Sequence, residues 1–212
     1  MRMLKSPCDL VGLNARGTSP SRVRWVVQSG SVPLLGTVVA TRHVADGVLE
    51  ALAFPDLDER CPSVPEGAEA LGRDVGDALL AWLGGSDDAL WALPLAPAAT
   101  AFQRNVREAL CSIPRGEVFT YGQLAARLGC SKASRATGRA CGANPLPLVV
   151  PCHRVVGACG APGGFGLGLD AKRRLLAVEG VHLDALPRRP VGGKHLPCSL
   201  DWLKTSAGSK PA

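Results

Sequence analysis

The chain has 212 residues, 46% of them apolar and 20% charged, enough to bury one large core or two modest ones. Its formal charge of +6 conceals an asymmetry: residues 1–95 hold 8 Lys/Arg against 12 Asp/Glu, whereas residues 96–212 hold 16 against 6. The second half, at a formal +10, has the charge that a polyanion-binding surface requires, and a basic surface that only aids solubility is the plainer alternative.

Cysteines at positions 8, 61, 111, 130, 141, 152, 159 and 198 form no CxxC pair, and the N-terminus shows no charged segment followed by a long apolar run. These features argue against a disulfide framework and against a membrane span. A reducing, cytoplasmic interior suits a functional free thiol, which would oxidise elsewhere. A single disulfide or a metal site built on Cys8 or Cys61 stays open.

In chain order, Val23–Val27, Val32–Thr41 and Val48–Phe54 are β-rich runs, divided by Gly30 and by the Ala45-Asp46-Gly47 turn. Residues 66–83 change to a helical period, with Leu71, Val75, Leu79 and Trp82 on one stripe and Gly84-Gly85 as the stop. Trp82 and Trp91 read as core residues, Leu90–Leu95 as a short strand, and the Pro94/Pro97 stretch as a linker. The first 95 residues are therefore expected to form a small α/β domain.

The second half is better punctuated. Thr100 and Gln103 form a capping box before a helix whose inward stripe is Phe102, Val106, Leu110 and Ile113, ended by Pro114-Arg115-Gly116. Thr120 and Gln123 form another before the helix Tyr121–Leu128, with Leu124 and Leu128 inward. After the turn Gly129-Cys130-Ser131, a third helix spans about Lys132–Ala143, which gives a helix-turn-helix pattern. Ser134, Ala136, Thr137, Gly138 and Ala140 leave that helix with little bulk, so its backbone can approach another surface closely. Lys132, Arg135 and Arg139 interrupt the smooth face, and Arg135 with Arg139 lies at i, i+4, able to meet phosphates or enter a groove. A small-residue helix with solvated arginines is the structural alternative.

Chemistry concentrates at Pro151-Cys152-His153-Arg154-Val155, reached through the apolar run from Leu146 to Val150 and expected to arrive on a buried strand. Prolines 145, 147 and 151 stiffen the approach, so a thiol is presented at a fixed place. An imidazole beside a thiol can take its proton, directly or through water, and needs a partner on its other ring nitrogen. Glu179, closing the patterned segment Asp170–Glu179 before Gly180, is the candidate acidic partner.

Taken in order, Ala101-Phe102-Gln103, Ile113-Pro114-Arg115-Gly116-Glu117, Tyr121-Gly122-Gln123-Leu124-Ala125, Asn144-Pro145, Pro151-Cys152-His153-Arg154 and Leu176-Ala177-Val178-Glu179-Gly180 resemble the methylated-DNA–protein-cysteine methyltransferases, the O6-alkylguanine-DNA alkyltransferases. The resemblance covers about residues 78–186. It implies an α+β chain: an N-terminal ribonuclease-H-like α/β domain (1–95), a winged helix-turn-helix catalytic domain (96–187) and a basic tail (188–212). It further implies a monomer that binds the minor groove of double-stranded DNA, rotates an O6-alkylguanine out of the stack and moves the alkyl group to a cysteine in one irreversible turnover. No cofactor and no metal enter that reaction.

By motif position, Cys152 is the acceptor, His153 the water-mediated base and Glu179 the residue orienting it. Asn144 matches the hinge asparagine, Arg135 the finger that fills the space of the extruded base, and Tyr121 the tyrosine that supports the phosphate during rotation. Lys132, Ser134, Ala136, Thr137 and Arg139 complete the expected DNA-binding surface.

Two departures stand out. The loop Gly163-Gly164-Phe165-Gly166-Leu167-Gly168 lacks the serine or tryptophan usual after the aromatic position, and Val106-Arg107 replaces a Val-Trp pair. Alkyl size, reaction at O4-alkylthymine and cooperative assembly on DNA stay open. Two other classes compete: a noncatalytic lesion binder, against which the presence of Cys152 argues, and a cysteine hydrolase, disfavoured because the Cys-His pair is adjacent and no separate oxyanion loop is evident.

Overall fold

In the computed structural model, which describes residues 16–18, 24–43, 46–57 and 68–186, an antiparallel meander leads into a set of helices that wrap one buried loop. Strands β1 (Arg16–Thr18), β2 (Arg24–Val32), β3 (Gly36–His43) and β4 (Leu49–Ala53) pair in sequence order, and β5 (Glu69–Ala70) joins β2 in parallel. The break expected at Gly30 falls instead at Pro33-Leu34-Leu35, between β2 and β3. Gly30 lies inside β2 opposite Val38, where a Cβ would come 2.8 Å from the Leu71 Cβ. Close packing by Leu71, rather than a turn, explains that glycine.

Helix α1 (Arg73–Leu83) buries Val75, Ala78, Leu79 and Trp82 against the sheet, as the stripe predicts. Leu71 lies before the helix, because residues 69–70 are drawn into β5. The strand expected at Leu90–Leu95 is a single helical turn, α2 (Asp88–Trp91), with only Leu95 bridging to Leu49. The Asp87 carbonyl accepts the N–H groups of Leu90 and Trp91, so the turn is satisfied locally and needs no neighbouring strand. That geometry buries Leu90 and turns Trp91 outward, 45% exposed, so Trp91 is not a core residue.

Helix α3 (Ala101–Cys111) is capped by Thr100, whose hydroxyl accepts the Gln103 N–H at 3.1 Å, but the Gln103 side chain meets the Thr100 hydroxyl rather than its backbone, so the box is half formed. Helix α4 (Tyr121–Arg127) has the full box between Thr120 and Gln123. Leu124 is buried and Leu128, at the C-cap, is half-buried. The third expected helix is a 3-10 turn, Ser131–Ala133, running into α5 (Ser134–Gly142). Strand β6 (Phe119–Thr120) pairs in parallel with β7 (Val155–Val156), and α6 (Leu169–Val178) closes the described chain apart from short turns.

Apolar side chains from both halves form one cluster, in which Leu52, Leu79 and Trp82 join Leu110, Leu146 and Val150. The Leu52 N–H donates to the Pro145 carbonyl at 2.9 Å, so the sheet edge reaches the loop before the cysteine. No helix among the described residues is long and apolar enough to cross a membrane. Cys8, Cys61 and the basic tail from residue 188 lie outside the described residues.

Candidate active site

Asn144 follows α5 and fastens the loop that ends at Cys152. Its Oδ1 accepts the Leu146 N–H at 3.1 Å, and its Nδ2 donates to the Val150 carbonyl at 2.9 Å and to the Cys152 Sγ at 3.1 Å. Residues 146–150 are all buried, and Leu148 adopts a φ of 73°, a strained conformation for a branched side chain that the surrounding core holds in place. Cys152 does not lie on a strand. It opens the 3-10 turn Cys152–Arg154, because the preceding Pro151 gives up a ladder donor and the Cys152 N–H turns back to the Val150 carbonyl at 2.7 Å.

The thiol is nearly enclosed. Burial raises its pKa, while the Asn144 amide and the Lys172 ammonium pull it down. His153, in the same turn, is fully buried and neutral in character, since burial lowers its pKa against the pull of Glu179. Its Nε2 lies 3.0 Å from the Glu179 Oε1. A carboxylate only accepts, so the proton belongs on Nε2 and Nδ1 is left with its lone pair. No protein group among the described residues hydrogen-bonds that Nδ1.

Glu179 terminates α6, where a glutamate is ordinarily solvated, yet its side chain is shut off from solvent. Burial would raise its pKa, but the hydrogen bonds from His153 and Arg154 outweigh this and bring it down to about 2. The Arg154 Nε reaches Oε2 at 2.9 Å and its Nη2 reaches Oε1 at 2.7 Å, while the Trp82 Nε1 donates to Oε1 at 3.2 Å. Arg154 also donates to the Asp87 Oδ2 at 2.6 Å and to the Ile113 carbonyl at 2.8 Å.

Sequence reasoning overlooked Arg154, Asp87, Trp82 and Lys172 as parts of the site. Lys172 is fully buried on α6, donates to the carbonyls of Val155 and Pro162, and has its pKa pushed down to about 8 by burial, with the thiols of Cys152 and Cys141 opposing. The only sequence signal was a lysine falling between Ala171 and Leu175 on the inward face of the helix.

The remaining predicted residues lie on neighbouring elements. Tyr121 begins α4 half-buried, and its hydroxyl donates to the Gly164 carbonyl at 3.1 Å. Its ring lies where a Cβ on Gly163, whose φ is +65°, would approach to 3.0 Å. Lys132, Arg135 and Arg139 are exposed, and Ser134 and Ala136 are partly so. Thr137 is fully buried and faces the core, so it falls outside the exposed strip in which the sequence had placed it; the helix period turns it inward with Cys141.

Residues 101–181 match the family model described as the 6-O-methylguanine DNA methyltransferase DNA-binding domain. Among named relatives, a methylated-DNA–protein-cysteine methyltransferase of Methanosarcina mazei is 46% identical over 107 residues, which is 50% of this chain and 67% of the relative. One from Mycolicibacterium paratuberculosis is 52% identical over 84 residues, 40% of this chain and 51% of the relative. The aligned part thus spans about half to two thirds of such relatives. Among solved structures, the Mycobacterium tuberculosis OGT in complex with DNA superposes with a TM-score of 0.57 at 34% identity, covering 72% of this chain and 91% of that one. The O6-methylguanine-DNA methyltransferase of the hyperthermophilic archaeon Pyrococcus kodakaraensis gives 0.54 at 32% identity, covering 74% and 99%. The mixed α+β architecture is common to these structures, and the chain belongs to the methylated-DNA–protein-cysteine methyltransferase family.

Proposed function

We propose that this protein repairs DNA by moving the alkyl group of an O6-alkylguanine in double-stranded DNA onto Cys152, once per polypeptide. The observation that carries the reading is the array at the thiol: an amide donor on Sγ, and a buried imidazole whose Nε2 is committed to Glu179. The thiol proton passes to the His153 Nδ1, directly or through a water, and the sulfur lone pair attacks the sp3 carbon of the alkyl group. The S–C bond forms as the O6–C bond breaks, and the electron pair leaves with guanine, which takes up a proton. A thioether has no good leaving group, so the protein stays alkylated.

Residues 96–187 act in this reading as a winged helix-turn-helix module, with α4 and α5 as the helix pair and residues 1–95 as a ribonuclease-H-like domain. The module enters the minor groove as a monomer, and the exposed Arg135 fills the space of the rotated base. Tyr121 supports the adjacent phosphate, and Lys132, Ser134, Ala136 and Arg139 line the duplex. The working compartment is the cytoplasm, where the thiol stays reduced.

Intact-protein mass after incubation with O6-methylguanine duplex DNA tests the reading. One methyl group is expected on the Cys152 peptide and none in C152A. A methyl mapped to another residue, or no transfer, overturns it.

A further inference from the structure

The acidic first half supplies two groups to the buried array. Asp87, between α1 and α2, sends its Oδ2 to the Arg154 Nη2 at 2.6 Å, and its Oδ1 lies 3.5 Å from the Arg115 Nη1. Trp82, on α1, donates from Nε1 to the same Glu179 oxygen that faces His153. Its ring meets His153 edge-on with centroids 6.4 Å apart, and the Arg115 guanidinium lies 5.2 Å above its centroid. Every one of these groups except Arg115 is less than a tenth exposed, so their orientations are set by one another and not by water.

We propose that Asp87 and Trp82 are positioning residues for alkyl transfer, contributed by the first half of the chain to hold Glu179 against His153. The inference rests on the function proposed above. Arg154 is the pivot: its Nη2 donates both to the Asp87 Oδ2 and to the Glu179 Oε1, and its Nε to the Glu179 Oε2, so the Asp87 carboxylate fixes the guanidinium plane and shares its charge. Without Asp87 the guanidinium is left to Glu179 and the Ile113 carbonyl, and its undivided pull on Glu179 draws that carboxylate off the imidazole. Without the indole N–H, Oε1 loses one of three donors and is left between the His153 Nε2 and the Arg154 Nη2. The Asp87 carboxylate, by way of Arg154, and the Trp82 N–H both act through Glu179, and W82F keeps the aromatic ring that borders His153.

The test is a pair of double-mutant cycles on the full chain, D87N with E179Q and W82F with E179Q, read in single-turnover methyl transfer from O6-methylguanine duplex. In these traces the amplitude reports the folded, competent fraction and the rate constant reports chemistry. D87N and W82F should each slow transfer by about tenfold to about 100-fold at full amplitude with DNA affinity retained. Each should add less than about twofold once E179Q is present, the non-additivity expected of groups acting through one residue. D87E should recover most of the rate, and D88N, at an exposed neighbour whose carboxylate accepts from the Ser86 hydroxyl, should match wild type. Should D87N yield no folded protein, W82F, which removes one N–H and keeps an aromatic ring, decides the case. Unchanged rate constants, or losses that multiply independently of E179Q, overturn the inference and leave the proposed function intact. A wild-type protein that transfers no methyl overturns both.

Discussion

The His153 Nε2 and the Glu179 Oε1 lie 3.0 Å apart with both side chains sealed from solvent, and that contact fixes which ring nitrogen can take a proton. Glu179 is 26 residues away from His153 in sequence, so the tautomer depends on how α6 packs against the Cys152–Arg154 turn. In the reaction proposed above, removing the imidazole in H153A, or the carboxylate charge in E179Q, would take away proton acceptance or its orientation. Neither group faces the exposed strip of α5. Transfer should therefore slow by about 100-fold or more while duplex affinity changes little. Single-turnover rates at saturating protein, set beside binding isotherms for unmodified duplex, distinguish the two effects. Unchanged transfer in either variant removes that residue from proton transfer.

The same pair makes stability pH-dependent, with a definite sign. Glu179 is brought down from 4.5 to about 2 in the folded chain, so the unfolded chain binds its proton first as pH falls. Its stabilisation is complete above about pH 4.5 and fades toward pH 2, a loss on the order of 3 kcal/mol for a fully buried carboxylate. His153, held neutral by burial, acts in the same direction below its ordinary value of 6.5. Urea unfolding between pH 7 and pH 3 should show stability falling with pH, and E179Q should flatten the segment below 4.5. An equally steep acid limb in E179Q contradicts the assignment.

Asn144 binds both the loop and the sulfur, and substitutions can separate these roles. N144A leaves the Leu146 N–H without its partner, at a cost of about 1–3 kcal/mol in stability, takes one of two donors from the Val150 carbonyl, which keeps the Cys152 N–H, and takes the donor off Sγ. N144D keeps the acceptor for Leu146 but sets a negative charge against the sulfur. The pH dependence of iodoacetamide alkylation, followed on the Cys152 peptide, should move to higher pH in both, and further in N144D. A larger shift in N144A would mean that the amide acts through loop geometry alone.

Much of this site was legible because its signals are local. The full cap at Thr120/Gln123, the inward stripes of α1 and α3, and the sequence Cys152-His153 depend on residues within one turn of each other. Arg154 was not legible: an arginine ordinarily reads as solvated, and its burial follows only from partners 25 and 67 residues away, Glu179 and Asp87. Lys172 was hidden for the same reason, since its ligands are backbone carbonyls at Val155 and Pro162 that no side-chain pattern records. At Leu90–Leu95 the apolar run fits a strand or a helical turn equally, and the Asp87 carbonyl decides for the turn. Thr137 shows the opposite failure, where composition marked a whole helix as a contact surface and the helical period hid one of its residues.

Arg135 is exposed on α5, a helix of small residues whose Gly138 faces the Tyr121 ring of α4. If its long side chain fills the space of the rotated guanine, R135A should impair extrusion and leave the thiol chemistry alone. Unpairing and unstacking a base costs on the order of a few kcal/mol, so a lost finger should slow repair of duplex O6-methylguanine by about 10-fold to 100-fold. Free O6-benzylguanine needs no extrusion, and its reaction with Cys152 should proceed at the wild-type rate. Rates on both substrates, with folding checked by circular dichroism, separate the outcomes. Equal proportional losses on duplex and free base would point to a general defect in the site, and no loss on either would make Arg135 a solvated arginine with no part in flipping.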